Sequence, residues 1–314
     1  MARTLAVLIV IVVVVVGVAV YYFFTTGGGL EKVKGNVKIA GVELYVDVDR
    51  VSEAETPIEA HIGLYNGFPV EVELAGGSLD VHIDDLKVAI ANIPSQKIGQ
   101  GENRLIVNIV LDNTLMDEVW YRHLRNNERS SLVVKGKIAF KTPIGDLEVP
   151  VSFTRNVSTN IFPVEEEVNR EVDVGPGGKV VARKVRVELV EVTPSQTKLR
   201  AYVTVENELK IIPLYVNGIV FSVKLGDETV IAKGKQEQPV SIAPGEVDDI
   251  PFDIVIDNSK IPIAWYNHVK NHEETKVTVE VWLEVDVGGK TVELFKDNPL
   301  TIETTVKTSL FKYV

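Results

Sequence analysis

Two histidine–glutamate pairs are the residues of this chain best placed to do chemistry. His123 lies five residues before Glu128, and His268 five before Glu273. In that pattern an imidazole can work as a general base beside a carboxylate, or both can ligate a metal. His268 and His272 add an i,i+4 histidine pair, the spacing with which a helix presents two zinc ligands. The first segment has Asn127 opposite His272, so this pair occurs once, and no third ligand accompanies it. The structural reading of these residues is polar positions on an exposed helix face. Asp112-Asn113 and Asp257-Asn258 carry the oxygens of a calcium turn, but Asp and Asn are also what caps and turns demand. Trp120-Tyr121 and Trp265-Tyr266 can line a hydrophobic-ligand site or anchor a helix on a sheet.

Other chemistry is absent from the sequence. Val46-Asp47-Val48-Asp49 and Asp84-Asp85 lack the full D-x-D-x-D-G loop of an EF-hand, and Gly76-Gly77 is followed by no Lys-Ser/Thr. There is no G-x-S-x-G elbow, and none of His61, His82, His123, His268 and His272 sits in a nucleophile motif. The chain has no Cys, which excludes disulfides, thiolate nucleophiles and Cys-ligated metals. The sequence therefore reads as non-enzymatic, with no catalytic, metal or cofactor residue assigned.

The elements that position these residues come in two copies. Ile109–Glu128 and Ile254–Glu273 align without a gap at an offset of 145. They share Ile109/Ile254, Val110/Val255, Asp112/Asp257, Asn113/Asn258, Trp120/Trp265, Tyr121/Tyr266, His123/His268, Asn126/Asn271 and Glu128/Glu273. Downstream, Leu132, Val134, Ile138 and Phe140 fall opposite Val277, Val279, Leu283 and Val285, alternating as the buried face of a strand. Upstream, HIGLYN ending in Asn66 matches YVTVEN ending in Asn207, each followed by a proline, Pro69 or Pro213. Each copy reads as short strands separated by turn dipeptides such as Asn66-Gly67, Asn217-Gly218 and Gly288-Gly289. One short helix interrupts them. Thr114 or Ser259 caps it, and Leu115, Val119, Trp120 and Leu124 form its apolar face. The predicted fold is all-β: two tandem immunoglobulin/fibronectin-like β-sandwiches, each with one short helix.

Leu5 to Phe24 is an uncharged apolar run of the length needed to span a bilayer as one transmembrane α-helix. Tyr21 and Tyr22 sit at its end, where interfacial aromatics belong. The run is too long, and its end too bulky, for a cleaved signal peptide. The expected layout is a transmembrane anchor and Gly spacer over 1–29, a first sandwich over 30–160, an acidic Gly-rich linker or exposed hairpin over 161–179, and a second sandwich over 180–314. A short tail before a long apolar run places the N-terminus in the cytoplasm and the domains outside the cell membrane. Asn156-Val157-Ser158 is a glycosylation sequon compatible with that side. Of 33 basic and 44 acidic residues only Arg3 precedes Glu31, which leaves 32 against 44, or −12, beyond the run. Such an acidic pair of domains does not suit nucleic acid. The expected partners are the lipid bilayer, through residues 5–24, and a lipid or protein not specified by the sequence. The lack of Cys and the Lys, Glu and Val content point to an archaeal-like source.

The early strand ending in Asn66 or Asn207, the proline after it, the late strand IVLDN or IVIDN, the helix and the closing hairpin KGKIAFKTPIGDLEVPVSF together resemble the LEA type 2 family, also called the WHy (water stress and hypersensitive response) domain. The resemblance spans most of both copies, although Asn66-Gly67 and Asn207-Glu208 stand where the family has Asn-Pro. It implies a folded seven-stranded sandwich with one short helix, and a stress (desiccation) or cell-envelope role. Lipid or hydrophobic-ligand binding at the membrane surface, and an extracellular structural or adhesive spacer, are the alternatives.

Overall fold

The computed structural model describes residues 37–314 apart from 68, 70, 143–144, 159–161, 174–177, 227–228, 237–238, 288 and 308–310. The predicted membrane span, residues 5–24, lies outside the described residues. Among those described, no helix is long and apolar enough to cross a membrane.

The chain is mostly strand, with two α-helices of ten residues among the described residues. Strands β1 (Val37–Val46), β2 (Glu55–Asn66), β3 (Val72–Ile83), β4 (Leu86–Ile93), β5 (Gln96–Ile98) and β6 (Gly101–Asp112) precede helix α1 (Met116–Arg125). Strands β7 (Arg129–Thr142), β8 (Gly145–Ser158), β9 (Val164–Asp173), β10 (Gly178–Val192), β11 (Gln196–Leu209), β12 (Leu214–Leu225), β13 (Thr229–Gln236), β14 (Val240–Ile242) and β15 (Val247–Asp257) follow. Helix α2 (Ile261–Lys270) then leads to β16 (Glu274–Val287), β17 (Lys290–Leu294), β18 (Leu300–Lys307) and β19 (Lys312–Tyr313).

Packing divides the chain into two units. One holds the described part of Arg3–Thr159 together with Trp265–Glu274 and Lys307–Val314. The other holds Asn160–Ala264 and Thr275–Val306. The units thus interleave in sequence, where the sequence reading places two consecutive domains.

In the first unit the strands form one hydrogen-bonded sheet in the order β19-β1-β2-β6-β4-β3-β7-β8, with β5 beside β3. In the second, a sheet ordered β15-β11-β10-β9 shares one apolar core with a sheet ordered β13-β12-β16-β17, on which β14 and β18 also pair. Alternation makes these strands. In β11 every second residue from Thr197 through Leu199, Ala201, Val203, Val205, Asn207 and Leu209 is buried. Burying alternate Val, Leu and Ile side chains contributes about 1.5–3 kcal/mol each.

The closing hairpins follow expectation: β7 pairs with β8, and β16 with β17, both antiparallel. The segment expected as a linker or exposed hairpin contains a strand. Its residues Val164–Asp173 are strand β9, antiparallel to β10. Val168 and Val172 pack against the core, while Glu165 and Glu171 pair with Lys184 and Lys179.

Candidate functional site

The strand phase explains the centre of each copy. In β6 the inward residues are Leu105, Val107, Ile109 and Leu111, and the next inward position is Asn113. In β15 they are Ile250, Phe252, Ile254 and Ile256, and the next is Asn258. Both asparagines are fully buried. A buried amide must find partners or lose about 1–3 kcal/mol for each unmade bond.

Asn113 finds them all around it. Its Oδ1 accepts from Thr56 Oγ1 at 2.8 Å and from the Trp265 indole Nε1 at 2.7 Å. Its Nδ2 donates to the Ser52 carbonyl at 2.8 Å. Asn258 repeats the arrangement, accepting from Thr197 Oγ1 at 2.8 Å and donating to the Thr193 carbonyl at 2.9 Å. Thr56 and Thr197 are themselves completely buried. The residue before each asparagine caps a 3-10 turn ahead of the helix. Asp112 accepts from the Thr114 amide and Asp257 from the Ser259 amide, each at 3.0 Å. Hydrogen bonds from Ser259 hold the Asp257 carboxyl below its ordinary pKa. The caps are therefore Asp112 and Asp257, not Thr114 and Ser259. Met116, the first residue of α1, is buried, and Leu115, which ends the 3-10 turn before it, is only partly so.

The far end of each helix is also duplicated. The Glu128 amide donates to the His123 carbonyl and the Glu273 amide to the His268 carbonyl, both at 2.8 Å. Closing the helix this way puts two consecutive non-glycine residues in the left-handed region. Asn127 and Glu128 have φ +52° and +57°, and His272 and Glu273 have +54° and +61°. Such conformations cost about 1–3 kcal/mol each and persist only where the surroundings fix them.

The surroundings do so here. His123 is 0% and His268 2% exposed, with Glu128 and Glu273 at 8% and 1%. This overturns the reading of these four as an exposed polar face. Their helical phase puts the histidines on the same face as Trp120 and Trp265. His123 Nδ1 lies 2.9 Å from Ser130 Oγ. Burial lowers the His123 pKa against the opposing pull of Glu128 and Asp84. Burial alone brings His268 down to about 4. Both imidazoles are neutral near neutral pH and enclosed by protein, so neither reaches a substrate proton. Glu273 Oε2 accepts from the Phe311 amide at 2.9 Å.

The remaining sequence-derived positions lie apart. Trp120 and Trp265 are buried, at 5% and 6%. Tyr121 and Tyr266 are partly buried, and Tyr121 OH accepts from Arg125 Nη1 at 2.7 Å. His272 is exposed and rests on the Tyr313 ring at 4.6 Å, whereas His268 is enclosed, so the i,i+4 pair does not converge. Among the described residues no three His, Asp or Glu side chains cluster to hold a metal. Asn156 is exposed on β8.

Sequence reasoning missed Thr56 and Thr197. They stand at the offset of 141 that relates Asn66 to Asn207, and on the same inward stripes. Asn66 and Asn207 close the other ends of those stripes, donating Nδ2 to the Ile98 and Ile242 carbonyls at 3.2 and 2.8 Å.

The fold is thus that of an all-β protein with a repeated buried amide centre. Residues 202–298 match the family model described as late embryogenesis abundant protein. No curated protein matches the chain. Among solved structures, a protein from Archaeoglobus fulgidus is similar over 40% of this chain and 95% of its own, at 25% identity and a TM-score of 0.35. A protein from Arabidopsis thaliana is similar over 40% of this chain and 81% of its own, at 13% identity and a TM-score of 0.27. Red sea bream transglutaminase is similar over 87% of this chain and 31% of its own, at 9% identity and a TM-score of 0.22.

Proposed function

We propose that this chain is a non-enzymatic, membrane-anchored protein with two tandem LEA type 2 modules, acting in protection against water stress or in support of the cell envelope. Residues 5–24 are the anchor, the N-terminus is cytoplasmic, and the modules stand outside the membrane. The family match over residues 202–298 supports the module assignment. The gapless repeat of Ile109–Glu128 in Ile254–Glu273 extends it to the first copy. The observation that carries the reading is the closed polar centre found in each copy. Asn113 and Asn258 have their side-chain bonds filled by the chain itself, and His123 and His268 are buried. Such residues hold a shape and present no reactive group. The ligand reading of Trp120, Tyr121, Trp265 and Tyr266 has less support, because both indoles are buried and Trp265 spends its N–H on Asn113.

The test is a drying assay. Vesicles loaded with a self-quenched dye would be reconstituted with the full chain, dried and rehydrated. Greater dye retention than with an unrelated single-pass protein at equal density is the expected result. Equal leakage would count against a protective role and leave envelope support.

A further inference from the structure

We infer that the outer edge of β1 is a strand-acceptor site, now filled by the chain's own residues 311–314, and that it will take the same segment from a second copy. Among the described residues, Lys312 and Tyr313 alone pair with β1 on the side away from β2. They run parallel to it, Lys312 opposite Tyr45 and Tyr313 opposite Val46. The Val314 amide donates to the Val46 carbonyl at 3.2 Å. The Phe311 amide is taken by Glu273 Oε2 at 2.9 Å. Main-chain bonds of this kind supply affinity when a strand is added to a sheet edge, and pockets for alternate side chains supply selectivity.

The side chains alternate as such recognition requires. Phe311 is buried at 7%, its ring edge-on to Tyr313 at 6.3 Å. Tyr313 is partly buried and its ring lies 4.6 Å from that of His272. Lys312 points the other way. Its ammonium pairs with Glu43 and stands 5.7 Å from the centre of the Tyr45 ring. Tyr45 OH donates to Glu43 Oε2 at 2.8 Å, which fixes the carboxylate for the lysine. The site therefore reads aromatic, cation, aromatic in an extended strand. The pairing spans two residues and the Lys312–Glu43 ion pair is exposed, so the segment is held chiefly by the buried Phe311 and is displaceable by a second copy that supplies the same anchor.

A labelled peptide of residues 309–314, SLFKYV, tests this by fluorescence anisotropy. A variant ending at residue 308 should bind it. The intact chain should bind at least about tenfold more weakly, because its own segment competes at high effective concentration. Replacing the peptide's lysine with glutamate should weaken binding about fivefold, the scale of an exposed ion pair. Failure of a folded truncated variant to bind, or equal binding by the intact chain, overturns the proposal. Should truncation prevent folding, Phe311→Ala in the full chain replaces it. Hydrogen exchange at Lys312–Val314 should then quicken at least tenfold while β2 and β6 stay protected, and the peptide should bind. Unchanged exchange, or no binding, sinks the idea equally.

Discussion

Asn113→Ala is the most informative perturbation of the polar centre. It deletes three side-chain bonds at once: from Thr56 at 2.8 Å, from Trp265 at 2.7 Å and to Ser52 at 2.8 Å. Thr56 is fully enclosed and Trp265 nearly so, and water does not reach them without opening the structure. Each donor stranded in the interior costs about 1–3 kcal/mol. The losses share one neighbourhood and do not add fully, so the substitution should cost about 4 kcal/mol in the unit that contains β2 and β6. Trp265→Phe removes the indole N–H together with part of the buried ring and leaves Thr56 on Asn113, so it should cost about 2–3 kcal/mol, the lost bond and the cavity together. The double variant should be less destabilised than the sum by about 1 kcal/mol, since the Trp265–Asn113 bond is lost once. Urea unfolding followed by circular dichroism gives the totals. Hydrogen exchange on β2 and β6 locates them, which matters because two units need not unfold together. A loss below about 1 kcal/mol for Asn113→Ala, or strict additivity within about 0.3 kcal/mol, would refute the claim that this amide organises the unit.

Three further outcomes follow from the structure. His268 titrates at about 4 when folded against an ordinary 6.5, so the unfolded chain binds more protons between those values. Its contribution is fully present above about pH 6.5 and is lost as pH falls toward 4, on the order of 3 kcal/mol in all; in urea melts, His268→Gln should flatten that slope, and an unchanged slope would place the titration elsewhere. A Cβ at Gly136 would lie 2.2 Å from the Ser78 carbonyl oxygen and 2.9 Å from Leu79 Cα. Gly136→Ala should therefore force β3 and β7 apart and cost about 2–3 kcal/mol, read as a lowered melting temperature. Asn156 is exposed on β8. In a host that glycosylates outside the membrane, a glycan-sized mass shift lost in Asn156→Gln is expected, and a cytoplasmic tag at that position in protease-protection assays would reverse the proposed orientation.

Strands were legible where alternation is strong. The stripes Leu105–Leu111 and Ile250–Ile256 announce both their strands and their inward phase, and extending that phase by one step would have put Asn113 and Asn258 in the core. Residue type obscured the rest. His123 and His268 look like surface residues, yet they follow Trp120 and Trp265 by three positions, one helical turn on the same face. Strand β9 was hidden because its inward valines are only partly buried and Glu165–Glu167 interrupts them, the pattern of an edge strand bearing charge. The caps were misplaced by two residues because a 3-10 turn precedes each α-helix and takes Asp112 or Asp257 as its cap. Strand β19 has no local signal at all. Two residues become a strand only because β1 offers them an edge more than 250 positions earlier.

The polar centres bear on the proposed role through what they do not require. A surface amide in water is satisfied by solvent, and drying removes that partner. Asn66, Asn113, Asn207 and Asn258 have partners within the chain, so their bonds do not depend on hydration. An apolar residue at Asn113 or Asn258 would fill the volume but would not fix the register in which β6 and β15 end and their helices begin. Buried, fully satisfied polar groups carry that kind of geometric information, because any shifted register leaves them unpaired. The exposed ion pairs behave in the opposite sense. Lys137–Glu148 and Lys141–Glu73, both at 2.6 Å, are weak in water and strengthen as the surrounding dielectric falls. Drying weakens the hydrophobic drive of the core, so in a Cys-free β-protein built this way the internally satisfied amides and the surface ion pairs are the contacts that do not depend on water. That is the physical content a protective or envelope-supporting module needs, and it comes from the same asparagines, threonines and sealed histidines that gave the chain its appearance of chemistry.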